Sequence, residues 1–220
     1  MSRSAALTLR TVQLFVGLFL YGASTALQVR AVVGVSSWTV LTEGLEHVLP
    51  WSFGLITVVS SGVILLFWIP LRQRPGIGTL LNALAIGPSA DLVLWLVPTP
   101  PELGGRILLF VAGTVLLAVA TAFYIGAGFG TGARDGLMVG LHQRLGWPIW
   151  LARTLVEVTV VVVGWFLGGD VGAGTVVAAF VIGPMVQPLM PVFRRFPWSP
   201  DRAPRLEAHP ATVTEPAPAP

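Results

Sequence analysis

Cysteine is absent from the 220 residues. That excludes disulfides, a thiol nucleophile and any Cys-ligated metal. Lysine is absent too, an absence to which no mechanism attaches. All 13 basic residues are therefore Arg. They are scattered between apolar runs, so the pI near 10.5 does not read as nucleic-acid binding. Charge of either sign is scarce: 10% of the chain, where a soluble domain carries about 25%. HExxH, GxSxG and Walker-type phosphate loops are missing, and so is any cluster of metal ligands. His47, His142 and His209 stand apart from one another. No cofactor and no metal is expected, and an enzyme reading has nothing to rest on.

What the chain does have is apolar length. Hydrophobic residues make up 54% of it, which predicts a polytopic protein of the lipid bilayer. Six runs, near 11–33, 50–70, 78–97, 106–128, 147–167 and 174–193, approach the roughly 20 helical residues needed to cross a core of about 30 Å. Gly, Pro and charge separate them, as in "LRQRPG" and "PTPPELGG". Residues 196–220 are rich in Pro and Ala without apolar periodicity, and a disordered cytoplasmic tail is expected there.

The chain also repeats itself. "GIGTLLNALAIGP" (Gly76–Pro88) returns as "GAGTVVAAFVIGP" (Gly172–Pro184), 96 positions later. The same offset, without a gap, sets Arg10 on Arg106, Gly17 on Gly113, Gly34 on Gly130, Gly44 on Gly140 and Trp51 on Trp147. The first run has the look of a signal peptide, but it has a partner in mid-chain, so a retained span is expected. The expected fold is all-α: a three-span repeat over 1–96, a second over 97–195, and a short re-entrant or interfacial helix in each. Three spans is an odd number, so the second copy enters the membrane inverted. The Arg positions agree. With the N-terminus cytoplasmic, ten of them fall inside and only Arg30 and Arg106 outside, as the positive-inside rule demands. The expected location is a bacterial plasma membrane with both termini cytoplasmic.

Several residues stand out against the apolar background. Gly87-Pro88 and Gly183-Pro184 sit about ten residues into their spans. Proline removes a backbone donor and displaces a carbonyl, so two broken helices lining a central site are expected; two plain kinks are the alternative. "WPIWLARTLVEVTVVVVGW" carries Arg153 and Glu157 at i and i+4, on one helical face. Charge at such depth costs several kcal/mol, roughly 2.5–3.5 on insertion scales. That marks a substrate or proton site, with a structural ion pair as the competing reading. Asp91 and Asn82 are further polar candidates in the third run. "GAGFGTGARDG" (126–136) resembles a dinucleotide fingerprint but follows a membrane span. It is read as a turn whose amides, beside Arg134 and Asp135, can meet an anionic ligand. Leu137, Leu141 and Leu145, with Asp135 in the first turn, predict an amphipathic helix over 133–146.

Through "WIPLRQRPGIGTLLNALAIGP" and "GARDGLMVGLHQRLG…ARTLVEVTVVVVGWFLGGDVGAGTV" the sequence resembles the YczE-like bacterial membrane proteins, relatives of the YitT-type group. The resemblance covers about residues 10–193 and implies a six-span, transporter-like membrane protein. Some related proteins are grouped with exporters of lipophilic secondary metabolites. Where that family typically shows a Pro-Trp pair and a His before Gly-Leu, this chain has Ser37 and Thr42. The expected function is a small secondary transporter exporting an amphipathic small molecule, with proton coupling as one mode. A membrane accessory protein is the alternative from another class. No nucleic-acid partner is expected, and self-association is left open.

Overall fold

Apolar runs bounded by Gly, Pro and Ser give a wholly helical fold in the computed structural model, which describes residues 2–196 and 198. Among the described residues eight helices follow in order: α1 (Arg3–Ala31), α2 (Ser37–Val48), α3 (Phe53–Leu71), α4 (Ile77–Leu96), α5 (Leu103–Gly126), α6 (Ala133–Leu145), α7 (Ile149–Phe166) and α8 (Ala173–Arg194). Polar side chains mark some starts. Ser2 Oγ accepts from Ala5 N at 3.3 Å and Ser52 Oγ from Leu55 N at 3.2 Å, each satisfying an amide the helix leaves unpaired. Five helices, α1, α3, α4, α5 and α8, are long and apolar enough to cross a membrane. The expected span over 147–167 coincides with α7, whose 18 residues reach about 27 Å. The tail expected beyond residue 196 lies outside the described residues, Trp198 excepted. Phe196 and Trp198 stack at 4.9 Å, and Trp198 Nε1 donates to Gln13 Oε1 at 2.8 Å.

α1 and α5 form the central pair, with α4 packed on α1 and α8 on α5. They approach closely because each offers a glycine at the crossing. Gly17 lies against Tyr124, and Gly113 against Ser24 and Gln28, so a methyl at either position would sit closer to its neighbour than ordinary van der Waals contact. α2 and α6 are short. Their N-terminal ends are buried in the bundle and their C-terminal ends are exposed. On α6 the buried face is Ala133, Gly136, Met138 and Gly140 rather than the leucine stripe, and Leu145 is exposed. The reason is again proximity. Gly136 lies on the Trp68 indole and Gly140 on Leu71, so small residues, not leucines, fit against α3.

The offset of 96 recurs in three pairs of helix starts. α2, α3 and α4 start at Ser37, Phe53 and Ile77, and α6, α7 and α8 at Ala133, Ile149 and Ala173. α3 packs on α6, and correspondingly α7 on α2. The loop after α1 docks on α8, where Gly174 N donates to Val33 O at 3.0 Å. The loop after α5 docks on α4, where Gly78 N donates to Phe129 O at 2.9 Å. Both loops turn on a glycine in the positive-φ region, Gly34 at +133° and Gly130 at +127°.

One correspondence fails. α3 lies tightly on α4, with Gly54 against the backbone of Gly87, and Asp91 ties them further. Its Oδ1 accepts from Gly54 N and its Oδ2 from Ser52 Oγ, both at 2.7 Å. α7 and α8 barely meet. In the second half the residues in register with Gly54 and Asp91 are Trp150 and Gln187, so neither the glycine contact nor the carboxylate tie is repeated.

The two ends of the bundle differ in charge. Arg10 Nε donates to Ala127 O at 2.9 Å, Gln73 to Gln143 at 2.8 Å and Arg144 to Pro70 O at 3.3 Å, which brings these segments to one end. By their place in the helices, Arg3, Arg72, Arg74, Arg194 and Arg195 belong to the same end, and no carboxylate does among the described residues. The other end holds Arg30 and Arg106 with Glu43, Glu46, Asp91, Glu102 and Asp170. Arg30 there donates to Leu94 O and Asp170 N to Glu43 Oε2.

Candidate functional site

The two expected helix breaks are not breaks. α4 runs unbroken through Pro88, and α8 through Pro184, Pro188 and Pro191. Each proline costs one backbone hydrogen bond, but the flanking turns keep theirs and the helix continues. Gly87 serves the α3–α4 contact instead. Gly183 and Pro184 remain at a site, because they line the space between α7 and α8.

That space is a cavity of about 580 Å³. On one side, α8 offers Ala178, Ala179, Ile182, Gly183 and Val186, and the lining continues to Met190, about 18 Å along the helix axis. On the other side stand Arg153 and Glu157 from α7, Arg134 and Asp135 from the first turn of α6, and Trp38 from α2. The cavity therefore opposes a mostly apolar wall, on which Gln187 is the polar side chain of α8, to a charged and aromatic one. Glu157 is eight residues from the start of α7, about 12 Å along its axis. Arg153 Nε donates to Glu157 Oε1 at 3.1 Å, with the Arg side chain 51% exposed and the Glu 23%. Arg134 places its guanidinium 4.8 Å from the Trp38 ring centre, a cation–π contact. Trp38 and Arg134 are themselves 96 residues apart, so they hold matching positions in the repeated sequence.

Behind this cavity lies a smaller one of about 40 Å³, bounded by Tyr21, Thr57, Ser61, Asn82, Tyr124 and Asp135. It has room for about three or four waters at ~10–15 Å³ each. Tyr21, Tyr124, Arg134 and Asp135 border both spaces. Burial pushes the Asp135 carboxyl above its ordinary range. Arg153 and Arg134 pull the other way, and Glu157 adds to the rise. Among the described residues, no group of three or more His, Cys, Asp or Glu is arranged to hold a metal.

The sequence candidates thus divide. Arg153, Glu157, Arg134, Asp135, Gly183 and Pro184 meet at the large cavity, and Asn82 at the small one. Asp91 lies elsewhere, closing α3 on α4. Sequence reasoning passes over Trp38 and the two tyrosines. Tyr21 and Tyr124 are the only tyrosines in the chain, and they meet edge to face with centroids 6.1 Å apart. Their rarity, and their position inside apolar runs, is the signal that was there to use.

Residues 8–191 match the model of a family of unknown function, DUF6198. The chain belongs to this family. Three further proteins resemble it along most of their length. An uncharacterized protein of Haemophilus influenzae is 35% identical over 187 residues, covering 85% of this chain and 86% of that one. The uncharacterized membrane protein YczE of Bacillus subtilis is 31% identical over 180 residues, covering 80% and 83%. The uncharacterized protein YyaS of the same organism is 25% identical over 184 residues, covering 82% and 92%. No solved structure matches the chain. The YczE-like resemblance read from the motifs therefore holds, and this DUF6198 member, with its several apolar helices, is a multi-pass membrane protein.

Proposed function

We propose that the protein is a small secondary transporter that exports an amphipathic small molecule, with proton coupling. The observation that carries this reading is the cavity of about 580 Å³ with a charged wall facing a mostly apolar one. An amphipathic solute satisfies both walls, whereas a scaffold protein gains nothing from a charge left beside a void. The two halves are taken as inverted three-span repeats, with α7 as the sixth span. The common starts at an offset of 96 and the exchanged contacts of α3 with α6 and α7 with α2 support this. The end that gathers arginine without carboxylates is assigned to the cytoplasm of a bacterial plasma membrane, together with both termini. α2 and α6 act as re-entrant helices whose positive N-terminal ends converge on the cavity.

The test is to fill the cavity. Gly183 lines the cavity and nothing lies within 4 Å of where its Cβ would sit, so Gly183→Trp adds bulk at the α8 wall where the backbone leaves room for it. Purified protein is reconstituted into vesicles loaded with amphipathic fluorescent dyes, one cationic and one anionic. Dye flux above that of empty vesicles is expected for the wild type and its loss for Gly183→Trp. Flux of both dyes equal in protein-containing and empty vesicles refutes transport of this class and leaves the accessory role.

A further inference from the structure

Two carboxylates face the cavities, and their surroundings differ. Glu157 has its counter-ion, Arg153, at 3.1 Å, in the one ion pair among the described residues. Asp135 has no cation within ion-pair distance. It lines the small cavity beside Arg134, and the other polar groups there are neutral and come from four helices: Tyr21 on α1, Thr57 and Ser61 on α3, Asn82 on α4 and Tyr124 on α5. These oxygens converge. A methyl in place of the Gly132 hydrogen would lie 3.1 Å from the Tyr124 hydroxyl, 3.4 Å from Asn82 Oδ1 and 3.4 Å from Asp135 Oδ2. Gly132 keeps that meeting point open. A carboxylate without an ion pair, beside a polar space that fits a few waters and opens toward a larger cavity, can take up and release a proton without breaking a salt bridge. A carboxylate held by arginine cannot.

We propose that Asp135 is the proton-binding residue of the transporter and that the small cavity is its hydrated chamber, leaving Arg153 and Glu157 to the solute. This rests on the transport reading and assigns its coupling site. The charged and titratable groups around Asp135 are Arg134 on its own helix, Arg153 and Glu157 on α7, and the tyrosines of α1 and α5. Asn82 and Tyr124 line the same chamber, where water can link them to the carboxyl, and a tyrosine hydroxyl can both donate and accept along such a chain.

Infrared spectroscopy of the purified protein tests the assignment without transport, because a protonated carboxyl has its own C=O stretch. Glu43 and Glu46 also carry raised carboxyls at the far end of the bundle, so the background is Glu43→Gln/Glu46→Gln. An acid band is expected to persist above the pH at which an ordinary aspartate loses its proton. Adding Glu157→Gln should leave it, adding Asp135→Asn should remove it, and Asp135→Glu should restore it. Gly132→Ala, which fills the meeting point but keeps the carboxylate, should shift the pH at which the band disappears. A band that survives Asp135→Asn, one that is lost with Glu157→Gln, or none at all overturns the proposal. In vesicles, dye flux driven by a pH gradient should fall in Asp135→Asn and recover in Asp135→Glu. Wild-type flux that ignores the gradient overturns the coupling alone, while no flux in any vesicle removes the transport reading beneath it.

Discussion

Glu157→Gln removes a charge and keeps the shape of the side chain, and the structure sets the size of the effect. At about 4 Å two unit charges attract by ~1 kcal/mol in water and by ~4 at an effective dielectric constant of 20. Breaking a fully buried pair costs about 3–5 kcal/mol, because the surviving charge is stranded. Here the pair opens on the cavity, with Arg153 51% and Glu157 23% exposed, and the arginine left behind can still be solvated. The exposed i,i+4 regime then applies, in which such a pair contributes roughly 0.2–1 kcal/mol. For a chain of this size 1 kcal/mol moves the melting temperature by about 2–4 °C. The assay is thermal unfolding in detergent, followed by tryptophan fluorescence, beside dye flux from vesicles. The wild type, Glu157→Gln, Arg153→Met and the double variant are compared. All four should melt within a few degrees of one another, while flux is lost wherever Glu157 is missing. A coupling energy above about 3 kcal/mol in that cycle refutes the open-cavity account. Full flux in a stable double variant removes the pair from the solute path.

Glu43 gives a pH signature of its own. Burial pushes its carboxyl up to about 8, reinforced by Asp170 and Glu46 and opposed by the Asp170 amide. The folded state therefore holds the proton more tightly than the unfolded one. Stability should fall as pH rises from about 4.5 to about 8 and then level off, and Glu43→Gln should flatten this profile in a melting-temperature series. Gly34→Ala and Gly130→Ala should each lower stability by about 1–3 kcal/mol, because both positions turn in the positive-φ region; a neutral effect at either denies that the two loops share one conformation. The cysteine-free chain also accepts single reporters directly. Cysteines at Thr99 and Ala173 should be labelled from outside the cell and those at Gln73 and Gln143 should not. Gln73 and Gln143 are hydrogen-bonded at 2.8 Å, so labelling one of them alone contradicts the fold, and labelling both reverses its orientation.

Much of this architecture was legible in the chain. The repeat gave matching helix starts because the caps and breaks repeat with the apolar runs: Gly76 and Gly172 both precede a helix. Arg153 and Glu157 were legible because charge inside a 20-residue apolar run has few reasons to be there. Other features were not. Proline marks a weakened turn, but neighbouring turns decide whether a helix bends, breaks or continues, and that is a matter of tertiary contact. The leucine stripe of α6 marked only part of its packed surface, with Leu137 half-buried against the core and Leu145 exposed, because apolar periodicity cannot see that α3 comes close enough to demand glycine. Tyr21 and Tyr124 were passed over because a tyrosine in an apolar run looks like any interfacial aromatic until its partner across the bundle is known. The open seam between α7 and α8 needed the comparison of Gly54 with Trp150, which has meaning only once Gly54 is seen against Gly87.

The exchanged loops also fix an order of assembly. The amide of Gly78, in the first turn of α4, finds its acceptor at Phe129, and Thr79 Oγ1 donates to Thr131 O at 2.7 Å. Both partners belong to the second half. A ribosome that has delivered four helices to the membrane has not yet made the residues that finish the fourth. The first half must wait, with one helix end unsatisfied, until the loop after α5 arrives. The α1 loop waits in the same way for Gly174 and Thr175. Neither half is thus a finished folding unit, and the two copies mature together or not at all.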